Sequence, residues 1–264
     1  MKNAFIYLAV FIGIQAAVTL ITSAVFTALG KGDNQIGMMV ISSTVASMIT
    51  LVVFLLTKWT KVSRSYLQSR PWSVLTWSAL VAVGMVIPST WFQELMPELP
   101  NILEAQFAML LKNEWGYLAV CLLAPLVEEM VFRGAILRSL LGKWKARPWL
   151  AIVVSALLFA VIHGNPAQMP HAFLAGLLLG WMFKRTRSIV PGVALHWVNN
   201  TISYVCVNVL PHPDAPLIYQ FNGSSMRVAE AVVFSFCILL PAIYQLYLRM
   251  KPAETDWQEV SGEK

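Results

Sequence analysis

An all-α, polytopic membrane bundle is the fold class this sequence predicts, and three observations predict it. Hydrophobic residues make up 58% of the 264 residues and charged residues only 12%, against roughly one-quarter charged in a soluble domain. The mean hydropathy is +0.65. The apolar residues gather in eight runs, at 4–29, 36–57, 73–93, 116–141, 149–163, 171–183, 189–210 and 228–248. Most approach the roughly 20 residues that carry a helix across a bilayer; the fifth and sixth are short.

The first run is too long for the apolar region of a signal peptide and lacks a convincing small-residue cleavage site, so it is expected to stay as a span and signal anchor. The basic residues orient the rest. With a cytoplasmic N-terminus, the inner segments hold Lys2; Lys58, Lys61, Arg64 and Arg70; Arg138, Lys143, Lys145 and Arg147; Lys184, Arg185 and Arg187; and Arg249, Lys251 and Lys264, which is 15 of the 19 lysines and arginines. Only Lys31, Lys112 and Arg227 fall in outer segments, and Arg133 lies inside a run. About eight crossings with both termini cytoplasmic follow from this bias, as the positive-inside rule expects. The same distribution explains the net charge of +6 without nucleic acid as a partner. The lipid bilayer is the partner that the composition requires.

Between the third and fourth runs, the outer loop 94–115 carries Glu94, Glu98, Glu104 and Glu114. Asn101 and Glu104 have the spacing of a helix-start capping pair. Leu103, Phe107, Leu110 and Leu111 then share one face, which predicts a short helix packed over the bundle or lying on the membrane. Gly164 to Pro170 is a turn between the two short runs, and such interrupted apolar segments point to a buried polar site. The chain after Lys251 is polar and reads as a tail, 251–264. Cys121, Cys206 and Cys237 all lie inside apolar runs, where they read as small packing residues without a disulfide framework or metal spacing.

Three apolar runs carry polar clusters. They are Glu128-Glu129-Met-Val-Phe-Arg133, Phe159-Ala-Val-Ile-His163 and His196-Trp-Val-Asn-Asn200. An ionisable group at the bilayer centre costs several kcal/mol, about 2.5–3.5 on insertion scales, so such groups mark a site. Glu129 and Arg133 are i,i+4 and can pair. Glu128 points about 100° away and is left as a free carboxylate, the natural proton acceptor. His163 ends its run beside the Gly-Asn-Pro turn, with Phe159 one turn earlier as packing. His196 and Asn200 share a face and can both donate hydrogen bonds, as an oxyanion site requires. Asn199 points off that face, and His171 and His212 lie in turns or outside the spans.

Depth permits convergence. Glu128 is about 22 Å of helix from Lys143, His163 about 24 Å from Arg147, and His196 about 13 Å from Arg187 with Asn200 one turn deeper.

In their order and spacing the three clusters resemble the CAAX protease and bacteriocin-processing family of intramembrane glutamic endopeptidases, which includes the type II CAAX prenyl endopeptidases. The resemblance covers about 116–205, within a single integral membrane domain expected over 1–250. It implies that Glu128 is the general base and that His163 helps to bind and activate water. His196 and Asn200 would stabilise the oxyanion, with Glu129, Arg133 and Phe159 as supporting residues. The substrate is then a membrane protein or peptide. The positive-inside pattern itself fits a bacterial plasma membrane or, less readily, a eukaryotic endomembrane. No cofactor is implied. Zinc held by Glu128, His163 and His196 is the competing arrangement, although the chain lacks the His-Glu-x-x-His pair. A proton-coupled transporter and a non-catalytic membrane scaffold or immunity protein are the competing function classes.

Overall fold

The computed structural model describes residues 2–61 and 64–251, and no strand occurs among them. The polar tail falls almost wholly outside the described residues. The helices are α1 (Lys2–Ala28), α2 (Gln35–Leu56), α3 (Arg64–Gln68), α4 (Trp72–Glu94), α5 (Glu104–Leu111), α6 (Glu114–Gly116), α7 (Ala124–Glu129), α8 (Arg138–Lys143), α9 (Pro148–Ile162), α10 (Met169–Thr186), α11 (Val190–Val209), α12 (Leu217–Gln220) and α13 (Ser225–Arg249). Two π-helical stretches, Tyr117–Leu123 and Met130–Leu137, join α6, α7 and α8 without a break. These five pieces form one continuous central helix over 114–143.

Every apolar run in the sequence therefore has its long helix. Four of them, α1, α2, α4 and α13, are long and apolar enough to cross a membrane. The chain is an integral membrane protein. Its outward faces agree: Leu20 is 71% exposed on α1 and Phe234 70% exposed on α13. Side chains of this kind lie comfortably against lipid but not against water.

The central helix sits in the middle of the packing. Its buried residues Phe132, Ile136 and Leu137 pack with Phe11 of α1, Phe54 of α2 and Ile152 and Phe159 of α9. A second core joins α4, α10, α11 and α13 through Val81, Met182, Leu195 and Leu246. Small residues bring helices close, as is usual where lipid supplies no hydrophobic drive between them. A Cβ on Gly84 of α4 would lie 2.9 Å from the backbone nitrogen of Leu239 on α13. A Cβ on Gly176 or Gly180 of α10 would lie 2.9 Å from Ala156 or 2.8 Å from Ile152 on α9.

The loop 95–113 folds back over the bundle. Its helix α5 buries Leu110 and Leu111, the packing that the apolar face predicts. The expected capping box is replaced by something longer in range. Leu103 occupies the N-cap with no side-chain bond, and the Asn101 amide still reaches Glu104 Oε2 at 3.2 Å. The stronger tie runs to the turn before α10: Asn165 donates to Asn101 Oδ1 at 2.7 Å and accepts from the Ile102 N–H at 3.2 Å. Asn165 is fully buried. At the other end of α5, Asn208 of α11 donates to the Leu111 carbonyl at 3.0 Å.

Asn165→Ala is expected to free the start of α5, since leaving a buried partner unsatisfied costs about 1–3 kcal/mol. Trypsin cleavage after Lys112 should accelerate in the variant. An unchanged cleavage rate would mean that the loop is held by its apolar face alone.

Candidate active site

Pro125 sets the local backbone of the central helix. In a regular α-helix its missing N–H would leave the Cys121 carbonyl without a partner. Here the stretch 117–123 is π-helical, with the Ala124 N–H bonded to the Ala119 carbonyl. An i→i+5 register moves the gap by one residue, to the Val120 carbonyl, which would look to residue 125. That carbonyl accepts from Asn200 Nδ2 at 3.0 Å. The π-segment thus accommodates the proline, and its open carbonyl is sealed by the asparagine of the third cluster. Asn200 keeps its second amide N–H, because each asparagine carries two.

Glu128 and Glu129 divide as their positions predict. Arg133 Nη1 donates to Glu129 Oε1 at 2.8 Å, and both side chains are buried. The arginine also donates to the Gly176 carbonyl of α10 at 3.4 Å and lies 4.3 Å over the Phe159 ring. Glu129 Oε2 and Arg133 Nε have no hydrogen-bond partner among the described residues. A Cβ on Gly192 of α11 would lie 2.7 Å from Glu129 Oε2, so only glycine leaves room for the carboxylate there. The Glu128 side chain, by contrast, is 24% exposed and lines a cavity of about 1010 Å³.

Both histidines approach this cavity from other helices. His163 follows α9, and its Nδ1 lies 2.7 Å from the Phe159 carbonyl. A carbonyl only accepts, so Nδ1 carries the proton and Nε2 is left with its lone pair in the neutral ring. His196 comes from α11. Its Nδ1 lies 3.3 Å from Glu129 Oε1, and its Nε2 lies 3.8 Å from Glu128 Oε2. The Phe159 ring stands edge-on to both, with centroids 4.9 Å from His163 and 5.9 Å from His196. Glu128, Phe159, His163, His196 and Asn200 all line the one cavity, while Glu129 and Arg133 stand behind it.

Two sequence readings need correction. His171, placed in a turn, lies on α10 and lines the same cavity. The second proline of the turn, Pro170, falls within the first two residues of α10, where proline is tolerated, so the helix starts earlier than the apolar run does. Asn199, placed off the site face, also lines the cavity and donates to Asn200 Oδ1 at 3.3 Å. The cavity is wide enough to reach two adjacent residues of α11, which helical periodicity alone could not foresee. Among the described residues no three His, Cys, Asp or Glu side chains are arranged to hold a metal ion.

Fold and site together define a helical membrane protein with a polar cluster of two glutamates, two histidines, an arginine and an asparagine at one cavity. Residues 111–202 match the Rce1-like family of type II CAAX prenyl endopeptidases, a stretch that holds all of these residues. The chain is also 31% identical over 88 residues to an uncharacterized 24.3 kDa protein of Escherichia coli, a match covering 32% of this chain and 41% of that protein. No solved structure matches the chain.

The two carboxylates should respond differently to substitution. Removing one partner of a buried ion pair costs about 3–5 kcal/mol, so Arg133→Ala should sharply lower the thermal midpoint in detergent. Gly192→Ala, which crowds Glu129, should cost about 1–3 kcal/mol as an overpacked core does. Glu128→Gln should leave the midpoint nearly unchanged. An equal loss in Glu128→Gln and Arg133→Ala would refute the division into one free and one structural glutamate.

Proposed function

We propose that the chain is an intramembrane endopeptidase that hydrolyses a peptide bond of a membrane-associated protein or peptide, with Glu128, His163, His196 and Asn200 as catalytic residues. One observation carries the reading. Each histidine has its Nδ1 held by an oxygen acceptor, which leaves Nε2 as the ring nitrogen available to the cavity beside Glu128. The acceptors differ in charge, and the difference assigns the roles. His163 leans on a neutral carbonyl, so its Nε2 lone pair is suited to hold water. His196 leans on the Glu129 carboxylate through Nδ1; as an imidazolium, whose two ring nitrogens both donate, it would present an Nε2–H to the cavity.

In this mechanism water sits between Glu128 and His163. The Glu128 carboxylate takes one of its protons as the water oxygen attacks the scissile carbonyl carbon. The negative charge that forms on the carbonyl oxygen is met by the His196 Nε2–H and the free Asn200 amide N–H, the type of preorganised donor that contributes most in a water-poor site. Collapse breaks the C–N bond, and the proton held by Glu128 passes to the departing amine. The products are a carboxylic acid and an amine, which become carboxylate and ammonium when the acid's proton passes to the amine, and Glu128 is an ionised carboxylate again. Glu129 and Arg133 position His196 and the Phe159 ring and never touch the substrate.

The basic-residue bias supports a bacterial plasma membrane with both termini cytoplasmic and eight crossings in all. The family match supports the reaction class.

Comparative membrane peptidomics of cells carrying the wild-type or the Glu128→Gln protein tests catalysis and identifies substrates together. Peptide ends present with the wild type should vanish with Glu128→Gln and with His163→Ala, at unchanged protein level in the membrane. Persistence of those ends in either variant would sink the reading. Cleavage by purified protein should also survive a strong chelator; loss of activity together with stoichiometric bound zinc would favour the metal arrangement of Glu128, His163 and His196.

A further inference from the structure

Hydrolysis at membrane depth consumes water and leaves two charged chain ends, and neither crosses an apolar wall easily. The cavity at Glu128 is walled mostly by apolar side chains such as Phe11, Leu110 and Leu195. A second cavity, of about 630 Å³, lies beside it on the far side of α5. Its lining is of another kind and includes Asn101, Glu104, Lys112, His212 and Asp214. It sits where the loop 95–113 meets the segment between α11 and α12, and its charged residues mark it as water-facing.

The two cavities share two lining residues, Phe107 and Gln168. These side chains stand between them. Phe107 lies at the middle of α5 and is 36% exposed. The backbone on either side of it is tied down, by Asn165 to Ile102 and by Asn208 to Leu111. Gln168 is fixed through its main chain, whose N–H donates to the Asn165 carbonyl at 2.9 Å. Backbone held at both residues, with the side chains between two hollows, is the arrangement of a gate that opens by rotamer change. Exposed side chains change rotamer in picoseconds to nanoseconds, far faster than helices move.

We infer that the second cavity is the aqueous approach to the Glu128 site, with Phe107 and Gln168 as its gate, taking water inward and a hydrophilic product end outward. Its purpose rests on the hydrolytic reading, but its geometry and its test do not. The gate sits at the end of the bundle that carries the 95–113 loop, so the approach opens on that face. The large substrate segment is left free to enter elsewhere, because this passage needs to pass only small or narrow polar groups.

The test uses the full chain in lipid nanodiscs, with Cys121, Cys206 and Cys237 replaced by serine and one cysteine introduced by Ala124→Cys. Ala124 lines the site cavity one turn before Glu128. The probe is a small methanethiosulfonate reagent with a fixed positive charge, which enters water-filled passages and not lipid. Labelling should run severalfold faster with Phe107→Ala than in the parent, and slower with Phe107→Trp. A control cysteine in the second cavity, Ala215→Cys, should react at one rate in all three. Gln168→Ala supplies an independent opening variant, expected to accelerate Ala124→Cys labelling as Phe107→Ala does. Equal Ala124→Cys labelling across the gate variants would overturn the inference, as would no labelling when the gate is opened. Labelling needs no turnover, so the same series in the Glu128→Gln background reads the passage alone. A failure there leaves the hydrolytic reading to the peptidomics experiment.

Discussion

The buried contact of Glu129 with Arg133 and His196 is the constraint on which the rest of the site depends. Glu129 Oε1 accepts from Arg133 at 2.8 Å and faces His196 Nδ1 at 3.3 Å. Through these partners one carboxylate ties together four helical segments. Arg133 continues to Gly176 on α10 and covers Phe159 on α9, and His196 and Gly192 bring α11 against the same group. A charge buried this deeply is tolerable only when its partners are fixed. The same contacts that neutralise Glu129 therefore fix the relative positions of the central helix, α9, α10 and α11. Glu128, next in sequence, needs none of these partners and inherits the geometry.

That inheritance explains how two adjacent glutamates can have different work. The environment on one side of the helix is a guanidinium and an imidazole in a dry core; on the other it is an open cavity. Environment, not residue type, separates paired carboxylates into structural and reactive members. The same logic separates the histidines. Both rings are oriented through Nδ1, but a carbonyl holds one and a carboxylate the other. In each case the acceptor at Nδ1 turns Nε2 toward the cavity. Phe159 links the two levels, with its face against Arg133 and ring contacts to both histidines. It is a packing residue whose position couples the ion pair to the imidazoles.

Much of this was legible in the sequence because membrane composition makes polar residues conspicuous. The eight apolar runs marked the eight long helices, and the i,i+4 spacing of Glu129 and Arg133 marked their ion pair. Anchor-to-cluster distances along each helix made a shared site feasible before any packing was known. What could not be read depends on contacts between distant segments. Asn165 looked like a turn residue, and its bonds to Asn101 and Ile102 exist only because the 95–113 loop folds back. His171 follows a Gly-Asn-Pro turn and carries no periodic signal of its own; the helix begins early enough to include it. Asn199 was set aside by helical angle, which is correct for a narrow contact and fails for a wide cavity.

The least legible feature is the backbone of the central helix, and it bears directly on the glutamates. Residues 124–129 are the only α-helical turns between two π-segments. Each change of register alters where the following side chains point, so the facing of Glu128 and Glu129 is set by both segments. At bilayer depth an irregular helix is tolerated where protein groups satisfy its carbonyls. Three side chains from elsewhere supply the bonds: Asn200 to Val120, Thr60 to Met130 at 2.8 Å, and Ser155 to Phe132 at 3.1 Å. Gly134 admits Thr60, which a Cβ there would meet at 2.4 Å. The irregular helix is thus held open by its neighbours, and Asn200, one of those neighbours, belongs to the site as well. The distortion that aims the carboxylates and the asparagine that lines their cavity are fixed by one shared bond.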